Sequence, residues 1–276
     1  MKRPRDTLFL PVLFGALAVA LGPVARLLLD RGRPMTPGGT PGMLVWILAP
    51  AVLALVFRRL DPQTRGTHLF RVTGQTTMVA LTVAALAAAA MGLAIAVGLA
   101  TGGLSFAPAS LPLTTFIAAA ASVVLFAFLE ESAWRGYLLP SLLGRARYPV
   151  VVVVAGLIWF AWHLPYLDQL TRALTNESVT TLAPRLFIGV LALQFLYSEL
   201  FLRCRSVWPA FALHATTNLV VQLAFLAGLK LAGSQAWLLS PSADGVLVIT
   251  LAAGVALWMY RRRAAGTGDS ASVSRG

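Results

Sequence analysis

Thr76 to Ala100 reads TTMVALTVAALAAAAMGLAIAVGLA, twenty-five residues without one charged side chain. A helix needs about 20 mostly apolar residues to cross a bilayer, so this stretch is long enough with some tilt. From Leu81 onward it is mostly alanine and glycine. Small residues let helices approach closely in lipid, where packing rather than hydrophobic burial drives association.

The rest of the chain has the same character. Of its 276 residues, 58% are hydrophobic and 12% charged, and the mean hydropathy is +0.79. A soluble domain carries about twice that share of charge. The apolar residues come in runs, and these predict eight spans at about 8–29, 42–57, 76–100, 112–139, 149–164, 184–202, 207–229 and 243–260. The fold class expected is all-α, a polytopic helical bundle. Residues 1–265 are expected to form one membrane domain and 266–276, rich in Ser and Gly, a disordered tail. Met1 to Arg26 has the basic start of a signal peptide, but it lacks a clean A-x-A site and is long enough to span, so it is read as the first helix.

The net charge of +12 does not point to nucleic acid. The basic residues fall in short loops and tails rather than on one face, and no nucleic-acid motif is present. With the N-terminus inside, sixteen of the 22 basic residues lie in inside segments. The positive-inside rule therefore predicts eight spans with both termini cytoplasmic. Low lysine beside high arginine and alanine points to a GC-rich bacterial genome, hence a multi-pass protein of a bacterial cytoplasmic membrane. Cys204 is the only cysteine, which rules out an intrachain disulfide and a cysteine metal cluster.

Ionisable groups within membrane helices are costly and by default mark function. Three apolar stretches carry them: Phe126 to Gly136 (FAFLEESAWRG), Ile158 to Pro165 (IWFAWHLP) and His214 to Asn218 (HATTN). Glu131 and Arg135 are four apart, on one helix face, and can pair. Glu130 is rotated about 100° from Glu131 and has no basic residue at i±3 or i±4. A carboxylate so placed, if water reaches it, is suited to accept and return protons. His214 and Asn218, also four apart, can face one cavity. Counted from the expected cytoplasmic helix ends at 1.5 Å per residue, Glu130 lies about 14 Å deep, His214 about 11 Å, Asn218 about 17 Å and His163 about 21 Å. Three helices can thus bring their polar groups to one pocket nearer the cytoplasmic side. Glu199 and Arg203, four apart, are read as a plain helix pair. Gln194 and Ser198 share their face and are candidates to line the cavity.

Glu130-Glu131-x3-Arg135, the aromatic-x3-His from Trp159 to His163, and His214-x3-Asn218 resemble, in order, the three motifs of the CAAX-protease and bacteriocin-processing (CPBP) family. That family of intramembrane endopeptidases includes the type II CAAX prenyl endopeptidases. Trp159 stands where the family usually has Phe. The resemblance implies a motif core over 112–229 and hydrolysis of a peptide bond in a membrane-associated, lipidated or unlipidated, protein. It implies Glu130 as general base on a water, His163 helping to hold that water, and His214 and Asn218 donating to the oxyanion. Glu131 and Arg135 would brace the site.

The family is commonly called metalloprotease, and Glu130, His163 and His214 are the residues that would ligate Zn2+. No H-E-x-x-H motif is present, and Asn218 is better explained by a metal-free, glutamate-activated water. No cofactor is therefore the preferred expectation, with Zn2+ left open. The bilayer and a peptide or lipidated protein substrate are the expected partners, without nucleic acid. Two other classes remain: a non-enzymatic immunity or scaffold protein whose polar residues join helices, and a proton-coupled carrier. No duplicated halves support the carrier.

Overall fold

The computed structural model describes residues 7–31, 40–167, 177–232 and 236–273, with side chains to 265. Lys2, Arg3, Arg5, Arg33, Arg172 and Arg275, which contribute to the net charge, lie outside the described residues, as does the end of the tail, 274–276.

In lipid the backbone must satisfy its own hydrogen bonds, which favours helices, and helices dominate here. The first, α1, is Phe9–Ala25 and ends in a π-helical turn at Arg26–Asp30; α2 is Pro41–Leu60 and α3 Gly74–Ala100. Next, α4 (Leu113–Ala133) passes through a π turn (Trp134–Leu138) into the short α5 (Leu139–Leu143). α6 is Tyr148–His163, closed by a 3-10 turn at Leu164–Tyr166, and α7 is Val179–Cys204. α8 is Trp208–Ala227, α9 Ala236–Leu239 and α10 Val246–Val273. A two-stranded antiparallel ribbon, β1 (Leu104–Phe106) with β2 (Leu229–Leu231), joins the ends of α3 and α8.

Seven helical segments among the described residues are long and apolar enough to cross a membrane. The protein is thus an integral, multi-pass α-helical bundle. The expected eighth span falls on helix α10, which is not among the seven: its apolar part meets Arg261, Arg262 and Arg263 fifteen residues after Val246. α7 begins earlier than expected from Pro184. Ser178 caps it by accepting from the Thr181 N–H at 3.2 Å, and Pro184 then sits inside the helix. A proline there removes one helical hydrogen bond but does not stop the helix.

Local chemistry sets several ends. Thr73 and Thr76 form a reciprocal capping box, with bonds of 2.7 and 3.1 Å, satisfying N–H groups that α3 would otherwise leave open. Gly228 ends α8 at φ +116°, a conformation that favours glycine, and a Cβ there would stand 1.9 Å from the Ala107 carbonyl oxygen.

Helix packing closes a ring: α4 on α8, α8 on α7, α7 on α6, α6 on α1, α1 on α2 and α2 back on α4. α3 packs outside α8, and α10 outside α7. Buried aromatic residues fill the centre. Phe14 meets Trp134 edge-on at 6.1 Å and Trp46 stacks on Trp162 at 4.3 Å. The two stacked indoles also bond each other's backbone carbonyls, at 2.8 and 3.2 Å.

Asp61 locks one end of the bundle. It is fully buried just after α2 and receives Arg145 at 2.7 and 3.0 Å, Ser141 at 2.5 Å and the Gln63 N–H at 2.9 Å. Burial pushes its carboxyl up, but the bonds from Arg145, Ser141 and Gln63 outweigh it and hold the group below its ordinary value. The stabilisation is therefore full above the unfolded carboxylate pKa of about 3.9. It is lost as pH falls through the depressed native value. Asp61→Asn should lower the melting temperature at neutral pH, and the gap from wild type should narrow on acidification below that range. Melting curves of the detergent-solubilised protein over pH test this, and a gap that widens with acid would contradict it.

Candidate active site

The site starts from the π turn in the fourth membrane segment. The Leu139 N–H bonds the Trp134 carbonyl, five residues back. Pro140 has no N–H to give to the Gly136 carbonyl four residues back. That carbonyl accepts instead from Arg58 of α2 at 3.1 Å. The wider turn rotates α5 relative to α4, and π turns are frequent at functional sites. Glu130, Glu131, Trp134 and Arg135 all sit at this junction.

Glu130 is 9% exposed. Its Oε2 accepts from the Trp159 indole N–H of α6 at 2.8 Å and from the Trp134 indole N–H at 3.4 Å. Its Oε1 lies 4.0 Å from His214 Nε2 of α8. Hence one carboxylate oxygen is anchored by two donors, and the other faces an imidazole across a gap that a single water molecule can bridge.

Glu131 is fully buried and serves two partners through Oε1. It accepts from Arg135 Nη1 at 3.0 Å and from His214 Nδ1 at 2.8 Å. A carboxylate only accepts, so Nδ1 of His214 carries a proton and Nε2 is turned to Glu130. A second group that fixes the tautomer and tilt of a working histidine is a recurring device. Arg135, also fully buried, gives Nη2 to Gln194 Oε1 of α7 at 2.9 Å. Its guanidinium lies over the rings of Trp159 and Tyr197 at 4.9 and 4.5 Å. Gln194 passes the chain on to Ser198 at 3.0 Å.

His163 directs Nδ1 to the Trp159 carbonyl at 2.8 Å. A carbonyl cannot donate, so this nitrogen bears a proton, and in the neutral ring Nε2 keeps its lone pair. The His163 ring packs on Trp162 and Trp159 at 4.9 and 5.9 Å. Asn218 lies one turn beyond His214 on α8 and is exposed. Among the described residues its side chain makes no hydrogen bond, and so it stands apart from the bonded cluster of Glu130, Glu131, Arg135 and His214.

Of the expected helix-face neighbours, Gln194 and Ser198 do enter the network. Glu199 does not pair with Arg203. It takes Arg263 of α10 at 2.8 and 3.0 Å, because α10 packs along α7 and brings a cation to a buried carboxylate that Arg203, on the exposed side, does not reach. The sequence reading missed Tyr197, and it missed the donor roles of Trp134 and Trp159. The departure from Phe at position 159 was the one available signal, since only tryptophan supplies an N–H there.

Among the described residues, no three His, Cys, Asp or Glu side chains are grouped as a metal site requires. Glu130 Oε2 is already engaged by indole donors. In a tetrahedral zinc site each ligand atom lies about 2.0–2.2 Å from the metal, closer together than the 4.0 Å between Glu130 Oε1 and His214 Nε2. As they stand, these side chains are not drawn together around a metal.

No curated protein matches the chain. Residues 111–220 match the family model described as "Type II CAAX prenyl endopeptidase Rce1-like". The matched segment contains Glu130, Glu131, Arg135, Trp159, His163, His214 and Asn218, so the polar cluster lies within the region that is similar to this protease family.

Proposed function

We propose that the protein is an intramembrane endopeptidase that hydrolyses a peptide bond in a membrane-associated substrate by means of a glutamate-activated water. The single observation that carries this reading is the divided Glu130 carboxylate. One oxygen is held by two indoles, and the other faces His214 Nε2 at 4.0 Å.

The chemistry is set by those atoms. A water between Glu130 Oε1 and His214 gives a proton to Glu130 while its oxygen attacks the carbonyl carbon. The C=O electron pair moves to oxygen, and N–H donors aimed at that oxygen stabilise it. His214 Nε2–H and the Asn218 amide are the donors proposed. Glu130 then returns the proton to the leaving nitrogen as the C–N bond breaks. Charge supports the scheme. With both glutamates ionised and Arg135 cationic, the buried group carries one negative charge. One proton shared by Glu130 and His214 makes it neutral. The lone pair on His163 Nε2 is suited to accept from the same water. We propose no metal in this reaction, a substrate that is lipidated or embedded in the bilayer, and a pocket reached from the cytoplasmic side with both termini on that face.

The test is cleavage of quenched-fluorescent lipidated and unlipidated peptides by the purified protein. His214→Ala should lower kcat by about 10²–10³, the usual cost of losing an oxyanion donor. A zinc chelator should leave the wild-type rate unchanged. Full activity in His214→Ala would sink the mechanism, and loss of activity with chelator, restored by zinc, would replace it with a metal-dependent one.

A further inference from the structure

A groove of about 780 Å³ opens between α2, the loop after it and α4. Its floor is apolar: Ala51, Ala54 and Leu55 from α2, Phe128 and Leu129 from α4. The two alanines leave the space that larger side chains would fill. Its rim carries two cations, Arg59 and Arg65, beside His68, all exposed. Arg58 builds the wall between floor and rim. It bonds the Gly136 and Thr67 carbonyls at 3.1 and 2.9 Å and lies 5.2 Å over the Phe70 ring. Among the described residues, no acidic side chain lines the groove. The nearest in sequence, Asp61, is buried and committed to Arg145, so it does not offset the rim.

The direction of the groove matters as much as its charge. Leu48, Val52 and Leu55 form an exposed apolar stripe on α2, at the spacing that keeps residues on one helix face. The stripe runs into the groove and ends at Arg58 and Arg59, the last basic residues of the span. From Leu48 to Arg59 is about 16 Å along the axis. An apolar strip inside the bilayer that ends in cations at the headgroup level matches an amphiphile with an acyl chain and an anionic head. A peptide would place polar backbone against that strip, where its N–H and C=O groups would lack partners.

We propose that this groove binds an anionic phospholipid, its phosphate between Arg59 and Arg65 and one acyl chain along Leu48, Val52 and Leu55. The inference does not depend on the peptidase reading. The bound lipid lies against Leu129 and Ser132, which flank the two glutamates of α4 in sequence.

The experiment is native mass spectrometry of the full-length, detergent-purified protein titrated with palmitoyl-oleoyl phosphatidylglycerol or phosphatidylcholine. Phosphatidylglycerol should be retained selectively. Arg59→Gln/Arg65→Gln should weaken its retention about thirty-fold, two arginines at roughly 1 kcal/mol each. Arg59→Lys/Arg65→Lys should keep most of it, which guards against a folding defect. Leu55→Gln should weaken it as well. Equal retention of the two lipids, or unchanged retention in the glutamine double variant, would overturn the proposal. So would displacement of the lipid by sn-glycerol 3-phosphate at the same concentrations, since the apolar strip would then have no part in binding.

Discussion

Glu130→Gln should abolish peptide cleavage and leave the protein folded. The substitution keeps the shape of the side chain. The glutamine carbonyl can still accept from the Trp159 indole, the 2.8 Å bond that anchors the native carboxylate. What disappears is the ability to take a proton from water. General-base catalysis contributes about 10²–10⁴ in rate. With Glu131 buried and committed to Arg135 and His214, kcat should fall by about the upper part of that range. Glu131 is a poor substitute, because its Oε1 is occupied by Arg135 and His214 and its Oε2, though unpartnered, is fully buried. The assay is single-turnover cleavage of a quenched peptide, beside a melting curve of the same preparation. Activity within a few-fold of wild type would place the base elsewhere. A large drop in melting temperature would make Glu130 a structural carboxylate.

The second large effect is on stability. Arg135 has 0% of its surface exposed, yet it is a guanidinium in the middle of a membrane bundle. It is held by Glu131 at 3.0 Å, by Gln194 at 2.9 Å and by the faces of Trp159 and Tyr197. Arg135→Ala would strand a buried carboxylate and leave a cavity between α4, α6 and α7. Breaking a buried pair in this way typically costs about 3–5 kcal/mol. Replacing both partners with apolar residues of similar size removes the stranded charge, and such exchanges are often neutral or stabilising. Arg135→Met/Glu131→Leu should therefore unfold later than Arg135→Ala, while remaining inactive because His214 has lost the acceptor for its Nδ1 proton. Chemical unfolding in mixed micelles measures both variants. A cost below about 1 kcal/mol for Arg135→Ala, the range of exposed pairs, would show that the pair is not structural.

These two predictions draw on different levels of information. The membrane class was legible in runs such as Thr76 to Ala100, because hydropathy is a property of consecutive residues and a helix in lipid needs little else. The Glu131–Arg135 contact was legible too, because four residues along a helix make neighbours whatever the rest of the chain does. Most of the span ends came from the same one-dimensional signals. Where Ser178 caps α7 ahead of Pro184, a local hydrogen bond moved the end.

The cross-helix partners were not legible. Glu199 reached Arg263, 64 residues away, rather than the arginine one turn along its own helix. Arg58, one basic residue among many in a loop-end cluster, went to the carbonyl that Pro140 leaves open. Trp159, read as an aromatic in a motif, turned out to donate to Glu130, and Gln194 to accept from Arg135. Such contacts depend on how each helix is rotated about its axis and on which helix packs beside it. Rotation is decided by the summed packing of the whole ring, which no short stretch of sequence contains. By itself the sequence determined that these residues lie in membrane-competent helices. Only the tertiary structure decided which of them meet, because a buried polar group takes the partner that packing brings within about 3 Å.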